Sequence, residues 1–262
     1  MVSPALAEEL TFGVYTSDKP TVMYKKFYPI IKHLEQYMKE KNLPVTISMK
    51  IFASYSGAID AIVEGEIDFA RFGPASYILA HDRNNGIRLL CMEQKNGRKQ
   101  FKGVFITRND THPITSLKDI QGKSFAFGDQ NSTIGRYLAQ AELVKNDISS
   151  TDLKSFSYLG RHDKVALAVA AGNYDAGVVK ENTFKKYAKS KGLKKIAEFP
   201  NVTKPWVIRA GYDEEIFKGL QQGMLELQDK SILKSLKQDG FVIATDQEYD
   251  FVRQGMKLSK QF

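Results

Sequence analysis

The chain is expected to fold as an α/β protein of two lobes built on mostly parallel sheets. Three observations carry this. Short apolar strands alternate with helix-period segments along nearly the whole sequence, donor-rich polar turns follow the strands, and 262 residues suit two cores of ordinary size. A hydrophobic content of 42% and an aromatic content of 11% suffice to fill those cores.

Residues 10–15 read as a strand, and residues 21–41 place Met23, Phe27, Ile30, Leu34 and Met38 at helical spacing. A second unit follows: a strand at 45–52, a short helix at 56–64 and a strand at 68–70 that ends on Phe72-Gly73-Pro74. Pro74 suits the first turn of a helix reaching about Arg83, because its missing amide would have no intrahelical partner there. Strands at 87–92 and 103–107 flank a polar turn at 96–99, and a new lobe begins. A helical turn at 117–123 delivers the strand 124–127, which enters a polar turn and a helix from Thr133 to about Asn146. Strands at 155–159, 176–179 and 195–199 alternate with helices at 162–171 and 181–191. Residues 206–209 return to the first lobe, which helices at 213–227, 231–238 and 249–260 complete. Lobe 1 is therefore expected over 8–104 and 207–262, and lobe 2 over 105–206.

In such sheets ligands sit beyond the carboxyl ends of the strands, which makes the strand-to-helix turns informative. The central one is Phe127-Gly128-Asp129-Gln130-Asn131-Ser132-Thr133-Ile134-Gly135. The first amides of a helix lack intrahelical partners and carry a partial positive charge, so they bind oxyanions unless a side chain caps them. Ser132 and Thr133 add two hydroxyls; the plain alternative is a serine or asparagine N-cap that only satisfies the helix. The other turns are Ser54-Tyr55-Ser56, Gly73-Pro74-Ala75-Ser76-Tyr77, Gly160-Arg161-His162-Asp163 and Lys180-Glu181-Asn182. Donors converging from two lobes would clamp an anion, with Ser132 and Thr133 around two oxygens, the His162 ring N–H on another and Tyr55 donating from the opposite lobe. Tyr77 reads as a core aromatic first and a ligand contact second, while His33, His81 and His112 match no motif and are taken as surface residues.

The net charge of +8 lies largely in lysine-rich stretches near 185–195, where a solvated helix face is the default. No zinc-finger spacing, aromatic RNA-binding pattern or basic heptad array is present, so nucleic acid is excluded as a partner, and a basic protein that collects anions fits better. Neither a metal nor a cofactor is expected, since no His-x-x-x-His or paired cysteines occur. No run of about 18 apolar residues could span a membrane. Ala5-Leu6-Ala7 before Glu8-Glu9 has the small-x-small pattern that ends an export signal, so residues 1–7 are read as its stump and the protein as periplasmic. Cys91, the lone cysteine, lies in apolar surroundings and is expected in the core.

Taken in order, Ser54-Tyr55-x-Gly57, Phe72-Gly73-Pro74-Ala75-Ser76-Tyr77, Asn131-Ser132-Thr133-x-Gly135, Gly160-x-His162-Asp163 with Ala166-Leu167-Ala168-Val169, and Glu181-Asn182 resemble the periplasmic phosphonate- and phosphite-binding proteins of ABC transporters. The likeness extends to Thr245-Asp246-x-x-Tyr249-Asp250. It implies the type II periplasmic-binding-protein fold, with two crossover segments between lobes near 103–108 and 204–210. It also implies that Ser132, Thr133, His162 and Tyr55 hold phosphorus-bound oxygens. The implied partners are a small phosphorus oxyanion and a membrane permease, and the receptor is expected to be a monomer that closes like a hinge.

Departures from that pattern bear on the ligand. Relatives that bind aminoethylphosphonate set two acidic groups against its ammonium; Glu181 stands at one position, but Lys204 stands near the other. Phe101 replaces a tyrosine, and Ile134 replaces a third hydroxyl residue. These changes suggest phosphite or methylphosphonate over aminoethylphosphonate or phosphate, because a fourth oxygen would need its own donor. An enzyme is not expected: Ser132, His162 and Asp163 are residue types of a hydrolytic triad, but Gly-x-Ser-x-Gly is absent, and a carboxylate adjacent in sequence cannot easily stand behind the imidazole. The alternative is an extracytoplasmic sensory domain of the same fold that reports an oxyanion to a membrane kinase.

Overall fold

The computed structural model describes residues 7–16, 19–109 and 114–262. The chain runs β1 (Glu8–Tyr15), α1 (Pro20–Glu40), β2 (Val45–Phe52), α2 (Tyr55–Val63), β3 (Phe69–Arg71), α3 (Pro74–Arg83) and β4 (Arg88–Gln94). It continues through β5 (Gln100–Arg108), β6 (Ser124–Phe127), a π-helical turn (Thr133–Tyr137) that leads into α4 (Leu138–Lys145), β7 (Ser155–Tyr158), α5 (His162–Ala170), β8 (Ala176–Lys180), α6 (Glu181–Lys191) and β9 (Leu193–Val202). The last elements are β10 (Pro205–Ile208), α7 (Glu214–Leu225), α8 (Lys230–Leu236), β11 (Gly240–Val242) and α9 (Asp250–Leu258). Unit 1 runs to Lys99 and resumes over Thr203–Glu248, while unit 2 takes Gln100–Val202 and Tyr249–Phe262.

Unit 1 carries a six-stranded sheet in the order β11-β4-β10-β3-β1-β2. β1 is parallel to β2 and to β3, so Tyr15, Phe52 and Arg71 end at one edge. β10 enters antiparallel to both β3 and β4, and Trp206 faces Arg71 on one side and Cys91 on the other. The apolar stripe of α1, with Phe27, Ile30 and Leu34 at 0% exposure, packs into one core with Phe12, Trp206 and Leu220. The Trp206 ring stacks on Phe12 at 5.0 Å, and Cys91 is buried in this core as expected.

Two charges are buried with that core. Arg71 grips Glu93 with two hydrogen bonds, Nε to Oε1 at 2.7 Å and a terminal nitrogen to Oε2 at 2.9 Å. Gln238 Nε2 donates to Glu93 Oε2 at 2.6 Å, and the Arg71 guanidinium also lies over the Phe27 ring. Burial alone would push the Glu93 carboxyl up, but the Arg71 charge and hydrogen bonds outweigh it, with smaller help from Lys26 and Lys204, and hold it below the usual range.

Unit 2 carries a five-stranded sheet in the order β7-β6-β8-β5-β9. β6 is parallel to β7 and β8, whereas β5 runs antiparallel to β8 and β9. One face packs Ile134, Leu138 and Leu143 against Phe105, Phe125, Phe127 and Phe199, while Val165, Ala166 and Val169 of α5 cover Val104, Ile106 and Val179 on the other.

Both sheets are thus mixed where mostly parallel ones were expected. The reason is local: β4 passes to β5, and β9 to β10, with no helix between, and the two entering strands β5 and β10 run antiparallel to neighbours on both sides. The C-terminal helix also differs from expectation. α9 belongs to unit 2, where Gly255 admits Leu138 so closely that a Cβ would stand 2.4 Å from its Cδ2. The Phe262 ring meets Phe127 at 5.5 Å and Phe156 at 5.7 Å. The chain therefore passes between units three times, at Lys99/Gln100, Val202/Thr203 and Glu248/Tyr249, where two crossings were expected. His33 and His81 are half-buried, with His33 Nε2 2.9 Å from the Gly223 carbonyl, so neither is a free surface residue. Residues 1–6, most of the suspected signal stump, and His112 lie outside the described residues.

The buried pair makes a testable claim on stability. Glu93→Ala leaves Arg71 buried without its carboxylate and is expected to lower unfolding stability by about 3–5 kcal/mol, read from denaturant midpoints. A carboxylate whose folded pKa lies below its unfolded one contributes stability above the unfolded value, near pH 4, and loses it as pH falls through the folded value. Glu93→Gln should therefore flatten the acid limb of the stability profile, and an unchanged limb would assign acid sensitivity to other carboxylates.

Candidate functional site

In unit 1 the parallel strands bring three chain segments to one edge. Tyr15 closes β1, the Ser54 turn opens α2 beyond β2, and Gly73 opens α3 beyond β3. Ser54 caps α2, its Oγ accepting from Gly57 N–H at 3.1 Å. Tyr55 is the first residue of α2, and its buried ring stacks on Tyr15 with centroids 3.6 Å apart. The Tyr15 hydroxyl accepts from Gly73 N–H and lies 3.1 Å from Ser76 Oγ, joining the α3 start to the end of β1. Sequence reasoning passed over Tyr15 as a strand end; its position at the carboxyl edge was the available signal. Tyr77 is buried, and its hydroxyl donates to Asp246 Oδ1 at 2.7 Å, the partner expected of a core aromatic.

In unit 2 the edge is formed by the ends of β6, β7 and β8. Gly128 N–H donates to the Gly135 carbonyl at 2.8 Å, which folds the turn after β6 back on itself. The two backbones touch: a Cβ on Gly128 would stand 2.9 Å from Gly135 Cα, and one on Gly135 2.9 Å from Ser132 Oγ. Only glycine permits this approach. Asp129 Oδ1 accepts from Asn131 N–H at 2.7 Å, and Ser132 Oγ accepts from Gly135 N–H at 2.9 Å. Ser132 is therefore the N-cap, as the plain alternative held. A hydroxyl accepts through its lone pairs and still has a proton to donate, so capping and anion binding are compatible. The first turn is π-helical, a form concentrated at functional sites. Ser132 and Thr133 are 3% and 5% exposed, so their hydroxyls lie in a largely water-excluded setting.

The turn after β7 is tied to this one, Gly160 N–H donating to the Gly128 carbonyl at 3.0 Å. Gly160 has a φ of +78°, which favours glycine there. His162 follows as the first residue of α5 and is buried. Asp163 is held by Arg161 through two hydrogen bonds of 3.0 Å, so its carboxylate serves that guanidinium. Arg161 and Asp163 thus brace the turn that presents His162.

Beyond β8, Glu181 opens α6 and pairs with Lys185 one turn on. Phe101 lies near the start of β5, partly buried against the core that contains Phe199. Ile134, at 3% exposure, packs in that same core. Lys204 also has an internal role, since its charge helps hold Glu93 ionised and its carbonyl accepts from Glu93 N–H at 3.1 Å. Among the described residues no group of three His, Cys, Asp or Glu side chains is placed to hold a metal ion, and no helix is long and apolar enough to cross a membrane.

Each unit thus sets helix starts and hydroxyl donors at the carboxyl edge of its parallel strands. Known proteins share this chain's pattern. A family described as ABC transporter, phosphonate, periplasmic substrate-binding protein matches residues 12–249. The chain is 32% identical over 193 residues to the phosphonates-binding periplasmic protein of Escherichia coli, covering 70% of this chain and 54% of that protein. It is 25% identical over 280 residues to the phosphate-import protein PhnD of Mycolicibacterium smegmatis, covering 94% and 84%. Its fold matches PhnD1 of Prochlorococcus marinus, solved in complex with methylphosphonate, with a TM-score of 0.86 at 22% identity over 97% of this chain and 99% of that one. With the family pattern running through both units, the chain belongs to the periplasmic phosphonate substrate-binding proteins of ABC transporters.

Proposed function

We propose that this protein is the periplasmic receptor of an ABC importer and captures a small phosphorus oxyanion without chemically altering it. The observation that carries this reading is the Ser132–Gly135 turn, where a buried hydroxyl caps a helix start at the carboxyl edge of the unit 2 sheet. Ser132 and Thr133 donate to two oxygens and His162 to another, while Tyr55 donates from unit 1. Ligand capture is coupled to hinge closure, and a permease reads that closure. The receptor reading is preferred to a sensory domain because the matched family is one of transporter substrate-binding proteins. Export to the periplasm as a monomer belongs to the same reading. Catalysis is not part of it, since the Asp163 carboxylate serves Arg161 and the matched family is one of transporter substrate-binding proteins.

Ligand selection follows from charge. Glu181, the acid nearest in kind to an ammonium partner, already meets Lys185 on its own helix. Ligands without an ammonium, such as phosphite or methylphosphonate, therefore fit better than aminoethylphosphonate. The case against phosphate rests on Ile134 and Phe101, both of which bring apolar side chains where a fourth oxygen would need a donor and both of which pack against the unit 2 core.

Ser132→Ala and His162→Ala should each weaken binding of phosphite or methylphosphonate by roughly ten- to a hundredfold in calorimetric titration, the loss of one hydrogen bond to a charged group. Ser132→Ala also removes a cap and should lower stability by about 1 kcal/mol, so affinity must be read at a temperature where the variant is folded. Affinities within twofold of the wild type would remove these residues from the site. Competition binding is expected to place aminoethylphosphonate last; if it displaces both smaller anions, Glu181 becomes the specificity residue. Solution scattering should record a smaller radius of gyration when a tight ligand is added, and an unchanged radius would exclude closure.

A further inference from the structure

We propose that Asn201 is a further ligand-binding and specificity residue, whose side-chain amide takes one oxygen of the bound phosphorus oxyanion. The proposal rests on the receptor reading and concerns a residue that the sequence did not single out.

Position is the first ground. β5 is antiparallel to β8 with Gly103 beside Lys180, so the start of β5 lies at the edge where β8 ends and α6 begins. β9 is antiparallel to β5 with Asn201 directly opposite Phe101, so the end of β9 reaches the same edge. Ser132, His162, Glu181, Phe101 and Asn201 therefore stand in one row across the unit 2 sheet. Side chains alternate along a strand, which puts Asn201 on the face of Phe199, and that face packs Ile134 and Leu138 from the helix that Ser132 opens.

Chemistry is the second ground. Asn201 is 1% exposed, and neither its Nδ2 nor its Oδ1 has a hydrogen-bond partner among the described residues. Three other buried polar side chains of this unit show the usual state: Gln140 Nε2 donates to the Tyr158 hydroxyl at 2.8 Å, Thr107 to the Asp175 carbonyl at 2.7 Å, and Asp163 accepts from Arg161. Buried amides are almost always hydrogen-bonded, and one that is not calls for a ligand or an ordered water. An amide offers two donors and one acceptor oxygen without net charge. Nδ2 donates to a phosphorus-bound oxyanion, and Oδ1 accepts from a P–OH, so Asn201 favours a singly protonated oxyanion.

The test compares the wild type with Asn201→Leu and Asn201→Asp, using phosphite and methylphosphonate in calorimetric titration and the melting temperature without ligand. Asn201→Leu keeps the volume and removes both polar atoms, so it should melt no lower than the wild type without ligand and bind at least tenfold more weakly. Asn201→Asp should bind more weakly still, because a carboxylate repels the anion. Asn201→Leu binding within twofold of the wild type would overturn the assignment, above all if its unliganded melting temperature fell, since the amide would then be holding structure or a buried water. Should Asn201→Leu fail to fold, Asn201→Asp decides by itself, and unaltered affinity there overturns the proposal. A wild type that binds neither anion overturns the receptor reading together with this one, whereas a wild type that binds beside an indifferent variant overturns this one alone.

Discussion

The contact between Gly128 and Gly135 sets the geometry on which the unit 2 edge depends. Two backbones meet where a Cβ on either glycine would stand 2.9 Å from the other's Cα. That approach turns the chain sharply enough for β6 to pass into a helix whose cap, Ser132, is buried beside the strand end. The turn after β7 is then fixed to it by the Gly160 N–H on the Gly128 carbonyl. His162 inherits its place from a backbone hydrogen bond two residues earlier. A turn assembled from backbone contacts holds its side chains in place by itself, which is what selection among small anions would ask of the proposed site.

Unit 1 reaches a comparable rigidity by other means. The Arg71–Glu93 pair joins β3 to β4 across β10, and Trp206 of that middle strand offers its Nε1 to Glu93 at 3.4 Å. Charges so deeply buried are retained only when nearly every polar atom is engaged, and here Gln238 brings a further donor. β3 has three residues, so this pair and the packing of Phe69 do much of the work of locating the α3 start and with it the Gly73–Tyr15 hydrogen bond. The core of unit 1 and its carboxyl edge are coupled through that short strand.

These two devices differ in how far they could be read from the sequence. Period and turn chemistry are local, so the strand-helix alternation, the cap at Ser132 and the helix starts at Tyr55, His162 and Glu181 were legible, and the spacing of Asn131 to Gly135 pointed to the family. Strand direction is not local. β5 and β10 run against their neighbours because the chain reaches them without an intervening helix, and a sequence of alternating elements conceals that. Arg71 and Glu93 were not singled out in the sequence, because nothing in their neighbours marks them as partners across another strand. α9 is amphipathic enough to cover either unit; Gly255 settles the choice by admitting Leu138.

Charge is distributed in a way that separates encounter from recognition. Lysines at 180, 185, 186, 189, 191, 194 and 195 stand against the single acid Glu181 in the same stretch, so much of the net +8 gathers on α6 and the start of β9. A field of that sign draws anions toward unit 2 and raises their association rate, an effect that salt screens over about 8–10 Å. It cannot tell one oxyanion from another, because phosphite, phosphate and sulfate feel the same attraction. On the proposed function, discrimination falls to the buried hydroxyls at the sheet edge, where contacts with a bound anion would be little screened. On that reading the lysines would govern how quickly the receptor fills, and the neutral donors at the edge with what. A salt-dependent on-rate beside a nearly salt-independent ranking of ligands is the kinetic form this division takes.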